Sequence, residues 1–176
     1  MLHPVFPSGQ LMSESELTPQ RLRRVFGTYA TGVTVISSAH NGALHGMTVN
    51  SFTSVSLSPP MVLYCSTLGA TYECVVAHRH FVVNILSAEQ LELARVFAGQ
   101  TGVADSERFG GVQYSLNQAG CPVLDGCLAH LECKVKQVIR AGDHEIILAE
   151  VEAIREAEGP PLLFFRGKFP ELPSAT

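Results

Sequence analysis

The order of apolar and polar positions divides the chain into one early helix, a long succession of strands and a few helical interruptions. Leu22, Val25, Phe26 and Tyr29 fall at i, i+3, i+4 and i+7 behind Thr18-Pro19, which predicts a helix with one apolar face. From Gly32 onward the pattern shortens to β-branched and apolar runs, Gly32 to Ser38, Ser51 to Leu57, Met61 to Cys65 and Phe81 to Leu86. Turn signals stand between them at Asn41-Gly42 and Pro59-Pro60. Leu131, Cys133 and Val135 alternate with Glu132, Lys134 and Lys136, the pattern of a half-exposed strand. Gly142-Asp143 then turns the chain into a run from His144 to Ile154, so the two predict a hairpin. Ser87 and Gln90 form a capping box ahead of Leu91, Ala94 and Phe97, and Gly99 stops that helix.

Strands in such close succession leave few helices long enough for parallel crossovers. The expected fold is therefore mainly β, an antiparallel Greek-key barrel with a few short helices, and not a doubly wound sheet. Residues 1–16 are aperiodic and carry Pro4 and Pro7, so they read as a tail before a domain at 17–170, with 171–176 as a second tail.

Composition changes this picture in one respect. Hydrophobic residues make up 46% and charged residues 16% of the 176, so one core is expected, with some apolar surface buried against a second copy as a homodimer. The net charge of −4 and scattered cations offer no stripe for a phosphodiester backbone, which argues against nucleic acid. Five cysteines, odd in number and without a CxxC pair, suggest neither a disulfide framework nor a zinc site, and read as reduced, mostly buried thiols. The first ten residues lack the basic start and unbroken apolar stretch of a signal peptide. No apolar run reaches the roughly 20 residues that span a bilayer, so a cytoplasmic protein without membrane contact is expected.

Several segments could carry chemistry. His45 to Ser56 is unusually polar for a stretch between two strands, and Thr48, Asn50 and Ser51 could hydrogen-bond the edge of a heterocycle. The same residues also read as outward-facing strand positions. Cys65 to Thr71 leaves a strand, passes Gly69 and enters a short helix capped by Thr71, which suits either a phosphate or simple capping. His144 beside its turn could donate a hydrogen bond or act as acid or base, although a turn histidine is more often a solvated surface group. Arg166 and Lys168 stand between aromatics at the end of an apolar run, placed to meet a dinucleotide or simply to face solvent. His130 alternates with Glu132 on an exposed strand face and is given no role. His78 and His80 have the spacing of one strand face but lack a third ligand, so no metal is expected. No dinucleotide fingerprint follows a strand, so any nucleotide is held by another device.

Four features in one order carry a resemblance: Ala30 to Val35, Gly46-Met47-Thr48-Val49-Asn50-Ser51-Phe52 followed by Leu57 to Pro60, Gly142-Asp143-His144, and Pro161 to Gly167. From about Leu17 to Phe169 the chain resembles the short-chain flavin reductases of two-component flavin-dependent monooxygenases. The resemblance implies an FMN-binding split barrel, usually a homodimer with flavin near the subunit interface. It implies an NAD(P)H-dependent reductase of FMN or FAD that hands reduced flavin by diffusion to an oxygenase, with NADH or NADPH as hydride donor. By position, Thr48, Val49, Asn50 and Ser51 match the flavin-contacting loop, Ser56 its continuation, and Ser66, Thr67 and Thr71 the phosphate-contacting turn. That turn is one residue shorter than in many relatives and has Leu68 and Ala70 where Lys, Arg or Ser is common. His144, the candidate catalytic residue, and Arg166-Gly167 match the nicotinamide side. Two other readings stand beside it: a flavoprotein that keeps FMN and reduces a quinone or ferric complex, and a non-catalytic flavin-binding protein.

Overall fold

The computed structural model describes residues 17–172 of the chain. The tail expected at 1–16 lies outside the described residues, as does most of the one expected at 171–176. The first helix, α1 (Pro19–Phe26), starts behind Thr18, whose side chain accepts a 3.4 Å hydrogen bond from the Arg21 N–H. It ends sooner than the periodicity predicts, and Tyr29 lies beyond it. Its apolar face is left uncovered by the described residues, with Val25, Phe26 and Tyr29 exposed at 60%, 68% and 77%.

The strands are β1 (Thr31–Gly32), β2 (Thr34–His40), β3 (Ala43–Val49), β4 (Thr53–Leu57), β5 (Pro60–Ser66) and β6 (His80–Ile85). They continue as β7 (Tyr114–Leu116), β8 (Pro122–Leu124), β9 (Ala129–Ala141), β10 (His144–Glu156) and β11 (Leu163–Phe164). Helix α2 (Ala70–His78) joins β5 to β6, and α3 (Leu91–Phe97) follows the capping box. That box is present as predicted, although it first opens the 3₁₀ turn Ala88–Gln90. Seven strands form one antiparallel sheet in the order β3-β2-β6-β9-β10-β5-β4. The predicted mainly β, antiparallel architecture is thus observed. Among the described residues, no helix is long and apolar enough to cross a membrane.

Alternation along β2 shows how the core is divided. Ile36 points into the barrel with Tyr64, Phe81, Val83 and Ile147, whereas its neighbour Val35 joins Leu86, Phe97, Leu124 and Leu162 beneath α3. Burial on both faces explains why β2 shows no apolar-polar alternation, with Thr34, Ser37 and Ser38 buried beside Val35 and Ile36. The β9–β10 hairpin turns at Gly142, whose φ of +65° suits glycine, and its long arms bring His144 back to the barrel rim.

Three expectations are corrected here. Residues 43–49 are a strand paired with β2, so the polar linker shrinks to three residues, Asn50 to Phe52. The misreading traces to Gly46, a buried position without a side chain. A Cβ there would lie 2.6 Å from Phe97 Cε1, so the strand gives up one apolar signal to let α3 approach. His78 and His80 do not share a strand face: His78 ends α2, Arg79 turns with φ +66°, and His80 begins β6. His130 is half-buried, not exposed, and its Nε2 lies 2.7 Å from the Leu124 carbonyl.

Candidate functional site

The residues singled out in sequence come together along the open edge between β3 and β4. Thr48 and Val49 end β3, and the Thr48 hydroxyl donates to the Ala94 carbonyl of α3 at 2.7 Å. Ser51, in the linker, donates to the Cys65 carbonyl and accepts from the Cys65 N–H, both at 3.0 Å. This double bond fixes the linker against the end of β5, where Ser66 leads into the turn before α2. Ser66 is buried and donates to the Thr67 carbonyl at 2.9 Å. Its register partner on β10 is Glu145, so His144 stands beside this same end of β5.

The hydroxyls therefore fall into two groups. Those of Thr48, Ser51 and Ser66 are committed to the chain itself, and Ser56 accepts from the Ser58 N–H at 3.3 Å. Among the described residues the side chains of Asn50, Thr67 and Thr71 make no hydrogen bond. They remain free to meet a ligand. Thr71 does not cap α2: Gly69 occupies the N-cap in an extended conformation and Thr71 is buried in the first turn. The likeness to a capping pattern misplaced it by two residues.

His144 is 43% exposed and its Nδ1 lies 2.7 Å from Asp143 Oδ1, on a carboxylate that is itself 95% exposed. That contact holds the Asp143 carboxyl below its ordinary range, first through the hydrogen bond and then through the imidazole charge. With Nδ1 occupied by a carboxylate, Nε2 is the nitrogen left to face a ligand.

Arg166 lies on the other side of Asn50. Arg166 and Gly167 both have positive φ, +50° and +76°, and form a tight turn closed by paired Phe165 and Lys168 backbone bonds of 2.9 and 3.0 Å. The Arg166 N–H donates to the Gly27 carbonyl at 2.9 Å, docking the turn on the end of α1. Between them opens a cleft of about 930 Å³ lined by Arg23, Arg24, Tyr29, Asn50, Phe164 and Arg166, among others. A smaller pocket of about 140 Å³ runs under Thr48 and Val49, and Asn50 and Phe164 line both. Within the single chain, His144 stands at the Ser66 end of the edge and Arg166 at the Asn50 end. Sequence reasoning missed Arg23, Arg24, Tyr29 and Phe164. The basic run Arg21-Leu22-Arg23-Arg24 is the available signal for the two arginines, and the aromatics lie within the helix periodicity and the Pro161 to Gly167 run.

Among the described residues no cluster of His, Cys, Asp or Glu could hold a metal ion. The fit is to an aromatic, hydrogen-bonding ligand: an apolar-walled pocket, a free amide at its mouth and free hydroxyls at the β5 exit.

Known proteins agree with this geometry. Residues 26–173 match the family model described as a flavin reductase like domain. The NADH-dependent FAD reductase of Streptomyces globisporus is 41% identical over 152 residues, covering 85% of this chain and 83% of that protein. The reductase subunit HsaB of a flavin-dependent monooxygenase from Mycobacterium tuberculosis is 32% identical over 159 residues, covering 88% and 83%. A solved structure of the Streptomyces globisporus NADH:FAD oxidoreductase with NAD and FAD fragments superposes with a TM-score of 0.83 at 37% identity, covering 94% of this chain and 98% of that one. The chain belongs to the flavin reductase-like family.

Proposed function

We propose that the chain is an NAD(P)H:flavin oxidoreductase that passes hydride from a nicotinamide nucleotide to FMN or FAD and releases reduced flavin to a partner oxygenase. The observation that carries this reading is the double Ser51–Cys65 hydrogen bond. It holds the ring-contacting linker and the turn from Ser66 to Thr71 as one continuous edge.

Bound flavin supplies the two-electron chemistry, taking hydride from reduced nicotinamide. The protein contributes orientation and charge. Thr48, Val49, Asn50 and Ser51 bind the flavin ring, with the Asn50 amide and linker N–H groups as donors to its polar edge. Ser56 supports the adjoining strand. Ser66, Thr67 and Thr71 bind the phosphate, Thr67 and Thr71 through unshared hydroxyls and Ser66 by shaping the turn. His144 orients the nicotinamide through Nε2 while Asp143 holds Nδ1, and Arg166 with Gly167 steers the same substrate from the cleft. No cation stands in the 66–71 turn, which suits a flavin that must leave after reduction.

The working unit is a homodimer in the cytoplasm. Apolar side chains on α1 and on β4, Leu57 above all at 92% exposure, are the surface a second copy covers. The test is NADH and NADPH oxidation by purified protein with FMN, FAD or riboflavin added. Turnover that requires free flavin is expected. Inactivity with all three flavins and both nucleotides would overturn the reading.

A further inference from the structure

Arg108 is a cation that the fold puts away from water. Its side chain is 13% exposed, whereas Arg95, Arg140 and Arg155, which also form ion pairs, are 43%, 64% and 58% exposed. Taking a guanidinium out of water is costly unless its donors are met. Nη2 meets the carboxylate of Asp105, in the 3₁₀ turn Asp105–Glu107. Nη1 donates to two carbonyls at once, that of Gly46 at 3.3 Å and that of Phe97 at 3.4 Å. Nε is buried without a partner among the described residues, so the group is placed for the two carbonyls at the expense of one donor.

Those carbonyls belong to opposite walls of one pocket. Gly46 is followed on β3 by Thr48 and Val49, and Phe97 is the last residue of α3, next to Ala98. Thr48, Val49, Ala94 and Ala98 all line the pocket of about 140 Å³ under the linker. The Thr48 hydroxyl joins the same two walls a turn earlier, at the Ala94 carbonyl. Beyond Ala98 the chain folds closely over the guanidinium: Gly99 has a φ of +70°, and a Cβ there would lie 3.0 Å from Arg108 Nη2. Gln100, the next residue, lines the pocket again. In so small a cavity a slight shift of α3 against β3 is a large change in width.

We propose that Arg108 is a positioning residue of the reductase. Its guanidinium holds the carbonyl end of α3 against β3 and so sets the width of the pocket under Thr48 and Val49, beside which the flavin ring is bound, without touching the flavin. Asp105 fixes the orientation of the fork, and the charge complements the carbonyl end of the helix. This rests on the reductase reading above and deepens it.

Arg108→Met keeps the length of the side chain and removes its charge and donors, leaving only Asp105, 59% exposed, without its partner. Fluorescence titration with FMN and with riboflavin is expected to give dissociation constants about tenfold higher for both, the order of one charged hydrogen bond, because both carry the ring. At saturating flavin, kcat should stay within about twofold of wild type. Arg108→Lys should restore the melting temperature more fully than the flavin affinity, since an ammonium keeps the charge beside Asp105 but lacks the planar fork that reaches both carbonyls. If Arg108→Met melts too early to titrate, Asp105→Asn decides: it frees the fork from the surface side and should raise both constants a few-fold. Unchanged constants, a rise for FMN alone, or a fall in kcat with unchanged affinity overturns the assignment.

Hydrogen exchange of the full-length protein tests the clamp without flavin. Arg108→Met should speed exchange at residues 46–49 and 94–100 and leave β9 and β10 at wild-type rates. Wild-type rates in both pocket walls, or faster exchange spread evenly over the chain, overturns it. A wild type that binds neither flavin sinks the reductase reading instead, and the exchange rates then still decide whether Arg108 holds the two walls.

Discussion

Ser51 and Cys65 exchange two hydrogen bonds of 3.0 Å between one side-chain hydroxyl and one backbone unit, so a linker residue takes over the side of β5 where pairing with β4 stops at Leu63, while β10 still pairs on the other side. Ser51→Ala leaves the Cys65 N–H and carbonyl without that partner. The expected cost is about 1–3 kcal/mol of stability, read from denaturant melts. The KM for flavin should rise several-fold with a smaller change in kcat. A variant with wild-type melting and wild-type flavin affinity would show that the two segments are held by other means.

Gly46 and Phe97 make a similar point for the wall behind the site. An added Cβ would meet Phe97 Cε1 at 2.6 Å and Cδ1 at 2.8 Å, and the ring is itself confined by Phe109 at a centroid distance of 5.0 Å. Gly46→Ala should therefore destabilise by about 1–3 kcal/mol, and adding Phe97→Leu should return part of the loss. Additive losses in the double variant would sink the account.

Tyr64 predicts the opposite sign. Its hydroxyl is buried in the barrel without a partner among the described residues, beside Phe81 at 5.3 Å between ring centroids, and burial raises its pKa well above the ordinary range. Tyr64→Phe removes an unsatisfied polar atom and keeps the packing. Stability should hold or rise by about 1 kcal/mol. A clear loss would reveal a partner, such as an ordered water.

Much of this was legible in the sequence because it depends on local chemistry. The capping box at Ser87, the turn at Gly142 and the alternation from Leu131 to Val135 each need only a few neighbouring residues, and each is present. What failed depends on distant ones. β3 was hidden because Gly46 makes room for a phenylalanine 51 positions later, a distance in sequence that follows from their numbers. β7 and β8 are hidden in the sequence because each is three residues long: β8 owes its place to Asn84, which accepts from the Leu124 N–H at 2.9 Å, and β7 pairs only with β8. The apolar face of α1 is legible as a periodicity, yet among the described residues nothing covers it. The arginine cleft exists only because the turn at Arg166 folds back onto Gly27.

His144 and Thr71 should separate the two substrates. His144→Ala is expected to lower kcat/KM for NADH several-fold, the effect of losing a hydrogen bond worth about 0.5–1.5 kcal/mol, with flavin affinity nearly unchanged. Thr71→Ala should weaken flavin binding, now through its free hydroxyl alone, since the cap belongs to Gly69. Initial rates with each substrate varied in turn give the answer. A change only in the flavin constant for His144→Ala would place that histidine on the flavin side.

The thiols predict both a labelling pattern and an alkaline limit. Burial pushes Cys121 and Cys127 up to about 11 and Cys133 up to about 12, and raises Cys74, so all four stay protonated and unreactive at neutral pH. Cys65 alone among the five is not fully buried. A thiol reagent at pH 8 should therefore modify Cys65 first, with the other four following only in denaturant. Flavin should slow the Cys65 reaction, because that residue is bonded to the linker at Ser51. The sign of the linkage follows from the raised values. In the unfolded chain these thiols ionise near ~8.5, while the folded chain keeps their protons, so stability is full below that pH and declines as it rises toward 11–12. Cys133→Ser/Cys121→Ser/Cys127→Ser should flatten the alkaline slope even though its neutral stability is lower. An unchanged slope between pH 8.5 and 11 would show that other groups set the alkaline limit.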